Sequence, residues 1–190
     1  MRKLFKFFKI QKGFTLIELL VVIGVLGILA TGLLATIDPL EQFRKGADSN
    51  RKQTALELIA ALTRYYSSHN TFPWRPTAEG GPATPCNAGN NPASSQVSTA
   101  TGSTAFNDCL TVLTTEGELK TTFQTQYSIL NSLYVTDNTV GTARSAVVCF
   151  DPDSKAESSK PETKYTRAGV DDSARCNATP KPADCYWCAQ

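Results

Sequence analysis

Between Phe14 and Ile37 the chain carries one charged residue, Glu18, in about 24 positions. As a helix this run is roughly 36 Å long, enough to cross the hydrocarbon core of a bilayer. A lone carboxylate in such a segment is costly in lipid unless it meets a cation. Upstream lie Arg2, Lys3, Lys6, Lys9 and Lys12, with no acid. Positive flanks stay cytoplasmic, so the N-terminus is predicted inside and the remainder of the chain outside. A secretory signal would place a small-residue cleavage site after the run, near Ala30 or Ala35, and would have a shorter apolar stretch. An uncleaved single-pass anchor explains the hydrophobicity and the charge bias. It does not explain the ordered string Gly13-Phe14-Thr15-Leu16-Ile17-Glu18 that opens the run.

Asp38-Pro39 marks a bend or break, because proline lacks an N–H and clashes with the preceding turn. Beyond it Leu40, Phe43, Ala47, Ala55, Leu58, Ile59, Leu62 and Tyr66 recur at near three-and-four spacing, which predicts an amphipathic helix with one apolar stripe. Glu41, Arg44, Lys45, Asp48, Arg51, Lys52 and Glu57 mostly fall off that stripe. They form either a solvated face or a set of ion pairs to neighbouring subunits. The helix is predicted to stop between Ser68 and Asn70, ahead of Phe72-Pro73.

Residues 73–104 hold almost no large apolar side chain after Trp74 and read as an irregular loop pinned by Cys86. A short helix follows, capped by Ser103 or Thr104 and presenting Phe106, Leu110 and Leu113. Strands are predicted over 127–135 and 145–150 with turn chemistry between them, and again over 163–170. The Pro- and Cys-rich tail reads as loop held by bridges. The predicted class is therefore α+β: a long N-terminal helix packed on a small antiparallel sheet in a disulfide-stapled head.

All six cysteines, Cys86, Cys109, Cys149, Cys176, Cys185 and Cys188, follow the apolar run. An even number on the oxidising side of a membrane favours disulfides, and sequence leaves fifteen connectivities open. The alternatives are a zinc site built on Cys185-x-x-Cys188 with Cys176, or a redox-active pair. Only one Cys-x-x-Cys is present and the single histidine, His69, is remote in sequence. Asp151 and Asp153, with Asp171 and Asp172, are hard oxygen ligands suited to calcium, though without EF-hand spacing. A turn of solvated acids is the plainer reading. Asn177-Ala178-Thr179 fits a glycosylation sequon but is followed by Pro180. No nucleophile elbow, phosphate-binding loop or metalloprotease helix is present in the sequence, which points to a non-enzyme.

The string Gly13-Phe14-Thr15-Leu16-Ile17-Glu18, with Leu-Leu-Val-Val-Ile after it, closely resembles the type IV pilin family, including the pseudopilins of type II secretion systems. The resemblance covers roughly the first 75 residues. It implies that a prepilin peptidase cuts between Gly13 and Phe14, and that Phe14 becomes a methylated N-terminus. It divides the chain into a leader (1–13), a membrane and filament-core helix (14–37), an amphipathic continuation (38–72) and a head (73–190). Loss of the five leader cations takes the formal charge from +2 to −3, so no basic domain remains for a constitutive nucleic-acid partner.

In the family the acid corresponding to Glu18 pairs with the Phe14 amine of an adjacent subunit, and the apolar helices bundle into the filament core. Gly24, Gly27 and Gly32 suit close helix contacts. The implied partners are other copies in a helical homopolymer, the peptidase, an assembly ATPase, an inner-membrane platform protein, minor pilins, and membrane lipid before assembly. The implied location is the cytoplasmic membrane, then a surface filament. Cysteine pairs stapling the C-terminal region are a pilin feature, and major pseudopilins carry calcium in a comparable late loop. A secretion pseudopilin, a minor pilin and a membrane-anchored binding protein that never polymerises are the other readings.

Overall fold

The apolar run and the amphipathic run that follows it form separate helices in the computed structural model. It describes residues 13–36, 38–75, 81, 86, 95–97, 106–138, 145–179 and 181–190. The first helix, α1, spans Leu16–Thr36; the second, α2, spans Pro39–His69. Pro39 stands at the first position of α2, where its missing N–H would have had no helical partner in any case. The chain divides into two units with the boundary between Leu40 and Glu41.

Helix α2 ends as the sequence predicts. Asn70 takes a left-handed conformation (φ 56°) and its N–H donates to the Tyr66 carbonyl at 2.7 Å, which closes the last turn. The apolar stripe is only partly used by the head. Ala55, Leu58, Ala61, Leu62 and Tyr65 are buried, with Ile59 and Tyr66 packed at their margin. Leu40, Phe43 and Ala47, predicted on the same stripe, are exposed, Phe43 by 77%.

Five strands form one antiparallel sheet: β1 (Ser95–Gln96), β2 (Leu133–Asp137), β3 (Ala146–Phe150), β4 (Thr163–Tyr165) and β5 (Tyr186–Ala189). Their spatial order is β1-β2-β3-β5-β4, so the last strand of the chain lies between β3 and β4. Side chains alternate across the sheet. Leu133, Val135, Ala146, Val148, Phe150, Trp187 and Ala189 join the α2 residues in the main core, whereas Val147, Cys149 and Cys188 cluster on the other face with Tyr165 and Tyr186.

Four sequence expectations need correction. The C-terminal tail is not loop, because Tyr186-Trp187-Cys188-Ala189 alternates between the two faces and fills the middle of the sheet. Residues 127–130 are not strand: Tyr127–Leu130 is a short helix, α4, in which the Ile129 and Leu130 amides both donate to the Gln126 carbonyl. The strand over 163–170 stops at Tyr165, and the chain turns through Gly169 (φ 77°). Part of the loop 73–104 is ordered by its ends, since β1 pairs with β2 and the Cys86 amide donates to the Pro73 carbonyl at 3.1 Å.

The predicted short helix is present as α3 (Asn107–Thr115), with Phe106 rather than a hydroxyl residue at its cap position; Ser103 and Thr104 lie outside the described residues. A 3-10 turn (Thr121–Thr125) carries Phe123 into the core before α4.

Candidate functional site

Gly13, Phe14 and Thr15 precede α1 and are not helical. A side chain built at Gly13 would meet nothing within 4 Å, and Phe14 is 84% exposed. Helix α1 starts on a reciprocal cap. The Glu18 Oε2 atom accepts from the Thr15 N–H at 2.8 Å and from the Thr15 hydroxyl at 2.7 Å. In return the Thr15 Oγ1 accepts from the Glu18 N–H at 3.3 Å. Thr15 is thus the N-cap and Glu18 the third helical residue of a capping box. The sequence reading passes over Thr15; the Thr-x-x-Glu spacing just before an apolar run is the signal that finds it. Both oxygen bonds converge on Oε2, and among the described residues no cation pairs with Glu18.

The rest of α1 offers apolar surface on all sides. None of the span Leu16–Leu33 is buried within its own chain, and it is long and apolar enough to cross a membrane. Built side chains at Gly24, Gly27 and Gly32 would meet nothing within 4 Å. A helix that is apolar all round is stable in water only when something else covers it, lipid or other helices.

Part of the polar side of α2 is committed to the head. Asp48 is 1% exposed and accepts from the backbone N–H of Asp153 at 3.0 Å and of Ser154 at 2.8 Å. Arg51 bridges Asp48 (3.1 Å) and Asp153 (2.6 Å). Glu41 Oε1 accepts from the Ala156 N–H at 3.1 Å. Lys52 meets Glu157 at 3.2 Å and lies 4.7 Å from the centre of the Trp187 ring. These contacts seat the segment before and around a short helix, α5 (Lys155–Ser158), against α2. Four of the charges expected to be solvated or intersubunit therefore have partners within the head.

The loop after α2 is anchored in the same manner. Asp137 at the end of β2 accepts from the Trp74 Nε1–H at 2.8 Å and from Arg75 at 2.6 Å. Trp74 stacks on Phe72 with ring centres 4.7 Å apart.

All six cysteines are paired: Cys86–Cys109, Cys149–Cys188 and Cys176–Cys185. No thiolate is left for zinc or for redox exchange by a free pair. Cys149 and Cys188 face each other across β3 and β5, while Cys176 closes a four-residue helix, α6 (Ser173–Cys176), onto the start of β5.

The two calcium candidates sit at the end of β3. The Asp153 carboxylate is turned to Arg51, and Asp151 is pushed up to about 6 by loss of water around its carboxyl and by the neighbouring charges of Asp153, Asp48 and Asp184, against the pull of Arg51. Among the described residues no three His, Cys, Asp or Glu side chains gather as a metal ion would need. His69 stacks on Tyr65, and its Nδ1 contacts Ser68 Oγ and the Tyr65 carbonyl, which are helix-end contacts. Asn177 is exposed in the turn after α6.

Residues 8–34 match the family described as the prokaryotic N-terminal methylation motif. That stretch contains Gly13, Phe14, Thr15 and Glu18 and nearly all of α1. Neither the curated proteins nor the solved structures contain a match to the chain.

Proposed function

We propose that this chain, whose N-terminal segment is that of a type IV pilin-like precursor, is a structural subunit of a type IV pilus or related surface filament. The observation that carries the reading is a single carboxylate in the first turn of an apolar helix that its own chain leaves bare, directly after Gly13-Phe14. Cutting after Gly13 creates a positive amine on Phe14. In lipid that amine and the Glu18 carboxylate are both poorly solvated, so pairing between neighbouring copies favours docking and sets the axial register. The α1 helices then cover one another's apolar surface.

Thr15 refines this picture. It holds Oε2 of Glu18 by two bonds and leaves Oε1 for an outside cation. The peptidase, a platform membrane protein, an assembly ATPase and minor pilins act on the subunit in this scheme, with lipid around α1 until extraction. The rival within the family is a pseudopilin of a type II secretion system; the three disulfides of the head favour the pilus, because major pseudopilins tend to be poor in cysteine.

Glu18→Ala tests the reading. Membrane insertion and cleavage should persist while filaments disappear from the sheared surface fraction. Normal filaments with the variant as their main subunit would refute the docking role of Glu18.

A further inference from the structure

The bridges of the C-terminal half are nested. Taking the cysteines in chain order, the first two pair with each other, and the Cys176–Cys185 bond lies inside the Cys149–Cys188 bond. Bridges made in order of appearance would instead join Cys149 to Cys176 and Cys185 to Cys188. Loop closure in an unfolded chain favours such local pairs. With closure probability falling as the three-halves power of separation, bridges of span 27 (Cys149 to Cys176) and 3 (Cys185 to Cys188) together close about nine times more readily than the native bridges of span 39 and 9. Cys149 and Cys188, 39 positions apart, are the most widely separated native partners of the three pairs. Cys188 has Cys185 three positions away.

The local product is incompatible with the fold. Residues three apart in a strand are separated by roughly 10 Å. A disulfide needs Cα atoms within about 6.8 Å. A Cys185–Cys188 bond would therefore curl the chain where β5 must be extended over Tyr186–Ala189. Strand β5 supplies Trp187 and Ala189 to the core and lies between β3 and β4, so without it β4 loses the strand it pairs with in this sheet. The native Cys149–Cys188 bond becomes favoured only once β3 and β5 are in register, where the two residues are direct partners. By then Cys149, Cys176, Cys185 and Cys188 are all buried, so correction has to come before the sheet closes.

We propose that this chain depends on a thiol–disulfide isomerase, not only on an oxidant, to reach its native bridges. The isomerase thiolate attacks Cys188 Sγ of a Cys185–Cys188 bond, forming a mixed disulfide and releasing the Cys185 thiolate. That thiolate attacks Cys176 Sγ of a Cys149–Cys176 bond, which forms Cys176–Cys185 and releases the Cys149 thiolate. Cys149 then attacks Cys188 Sγ in the mixed disulfide and frees the isomerase thiolate. The protein has two of these bonds before and two after, with no net oxidation. This inference stands on the connectivity and the strand order, independent of whether the chain polymerises.

The test expresses the full chain in a host that keeps its extracytoplasmic thiol oxidase, with and without its disulfide isomerase. Membranes are alkylated, digested without reduction, and mapped by mass spectrometry. Without the isomerase, the Cys149–Cys188 peptide should fall at least severalfold and a Cys185–Cys188 peptide should appear; wild-type isomerase should restore the native map and its active-site Cys→Ser form should not. An undiminished Cys149–Cys188 fraction without the isomerase would overturn the proposal. The double variant Cys176→Ser, Cys185→Ser removes the inner pair, so its Cys149–Cys188 bond should form equally with and without the isomerase. Continued dependence, or absence of that bond in both hosts, would equally overturn it.

Discussion

Replacing Asp48 with alanine should loosen the head from α2 more than any other single charge removal on that helix. The carboxylate is buried and accepts two backbone amides, those of Asp153 and Ser154, at 3.0 and 2.8 Å. A hydrogen bond to a charged acceptor contributes about 1.5–3 kcal/mol, and a buried amide left without a partner is costly in itself. The Ser154 amide is buried and the Asp153 amide is half-buried, so the upper figure applies to the first and the lower to the second. Allowing that water reaches part of the vacated space, the expected loss is about 3 kcal/mol. Arg51 does not add much to this, because it keeps Asp153 at 2.6 Å after the change.

For a unit of this size 1 kcal/mol shifts Tm by about 2–4 °C, so Asp48→Ala should lower Tm by roughly 6–12 °C. The assay is a thermal melt of the full chain in detergent with bridges intact, followed by the fluorescence of the buried Trp74 and Trp187. Asp153→Ala is the control: its side chain is 55% exposed, and loss of its ion pair should cost less than about 1 kcal/mol. If Asp48→Ala matched Asp153→Ala, the bonds to the two amides would not be what seats the 151–158 segment, and the reasoning would be wrong.

Asp151→Asn should stabilise the head at neutral pH. The folded carboxyl is raised from 3.8 to about 6, so its destabilising effect is absent at low pH, grows between about pH 4 and 6, and is complete above 6. The carboxyl is crowded by its neighbours but the residue still reaches solvent, so screening limits the gain to about 1 kcal/mol, and the variant and the parent should melt together near pH 4. A variant less stable at pH 7 would contradict this. Gly169→Ala should cost about 2–3 kcal/mol, since a Cβ there lies 2.7 Å from Val147 Cγ1 on a backbone at φ 77°. Melts of Gly169→Ala with and without Val147→Ala would separate the steric part, and a shift below about 0.5 kcal/mol would show that the turn yields.

The N-terminal third was legible because its signals are local. Twenty-one consecutive helical residues with one acid announce α1, and Asn70 with Phe72-Pro73 announces the end of α2. The head was harder to read because its decisive contacts join distant segments. Nothing near Asp48 in sequence says that its carboxylate will meet amides more than a hundred positions away. The same holds for Trp74 and Asp137, and for the pairing of Cys149 with Cys188. The tail reads as loop because its prolines and cysteines point to turns and bridges, while the four residues Tyr186-Trp187-Cys188-Ala189 carry the strand. Periodicity extends the apolar stripe to the exposed Leu40 and Phe43 because it shows that a face exists, not what covers it. The capping box of Thr15 and Glu18 is as local as these signals, three positions apart at the start of α1.

The proposed cleavage between Gly13 and Phe14 is reported directly by the N-terminal peptide. Filaments sheared from the cell surface would be digested and the peptide identified by mass spectrometry. The expected peptide begins at methylated Phe14 and has lost the leader. A chain found only in membranes with Met1 to Gly13 still attached would contradict it.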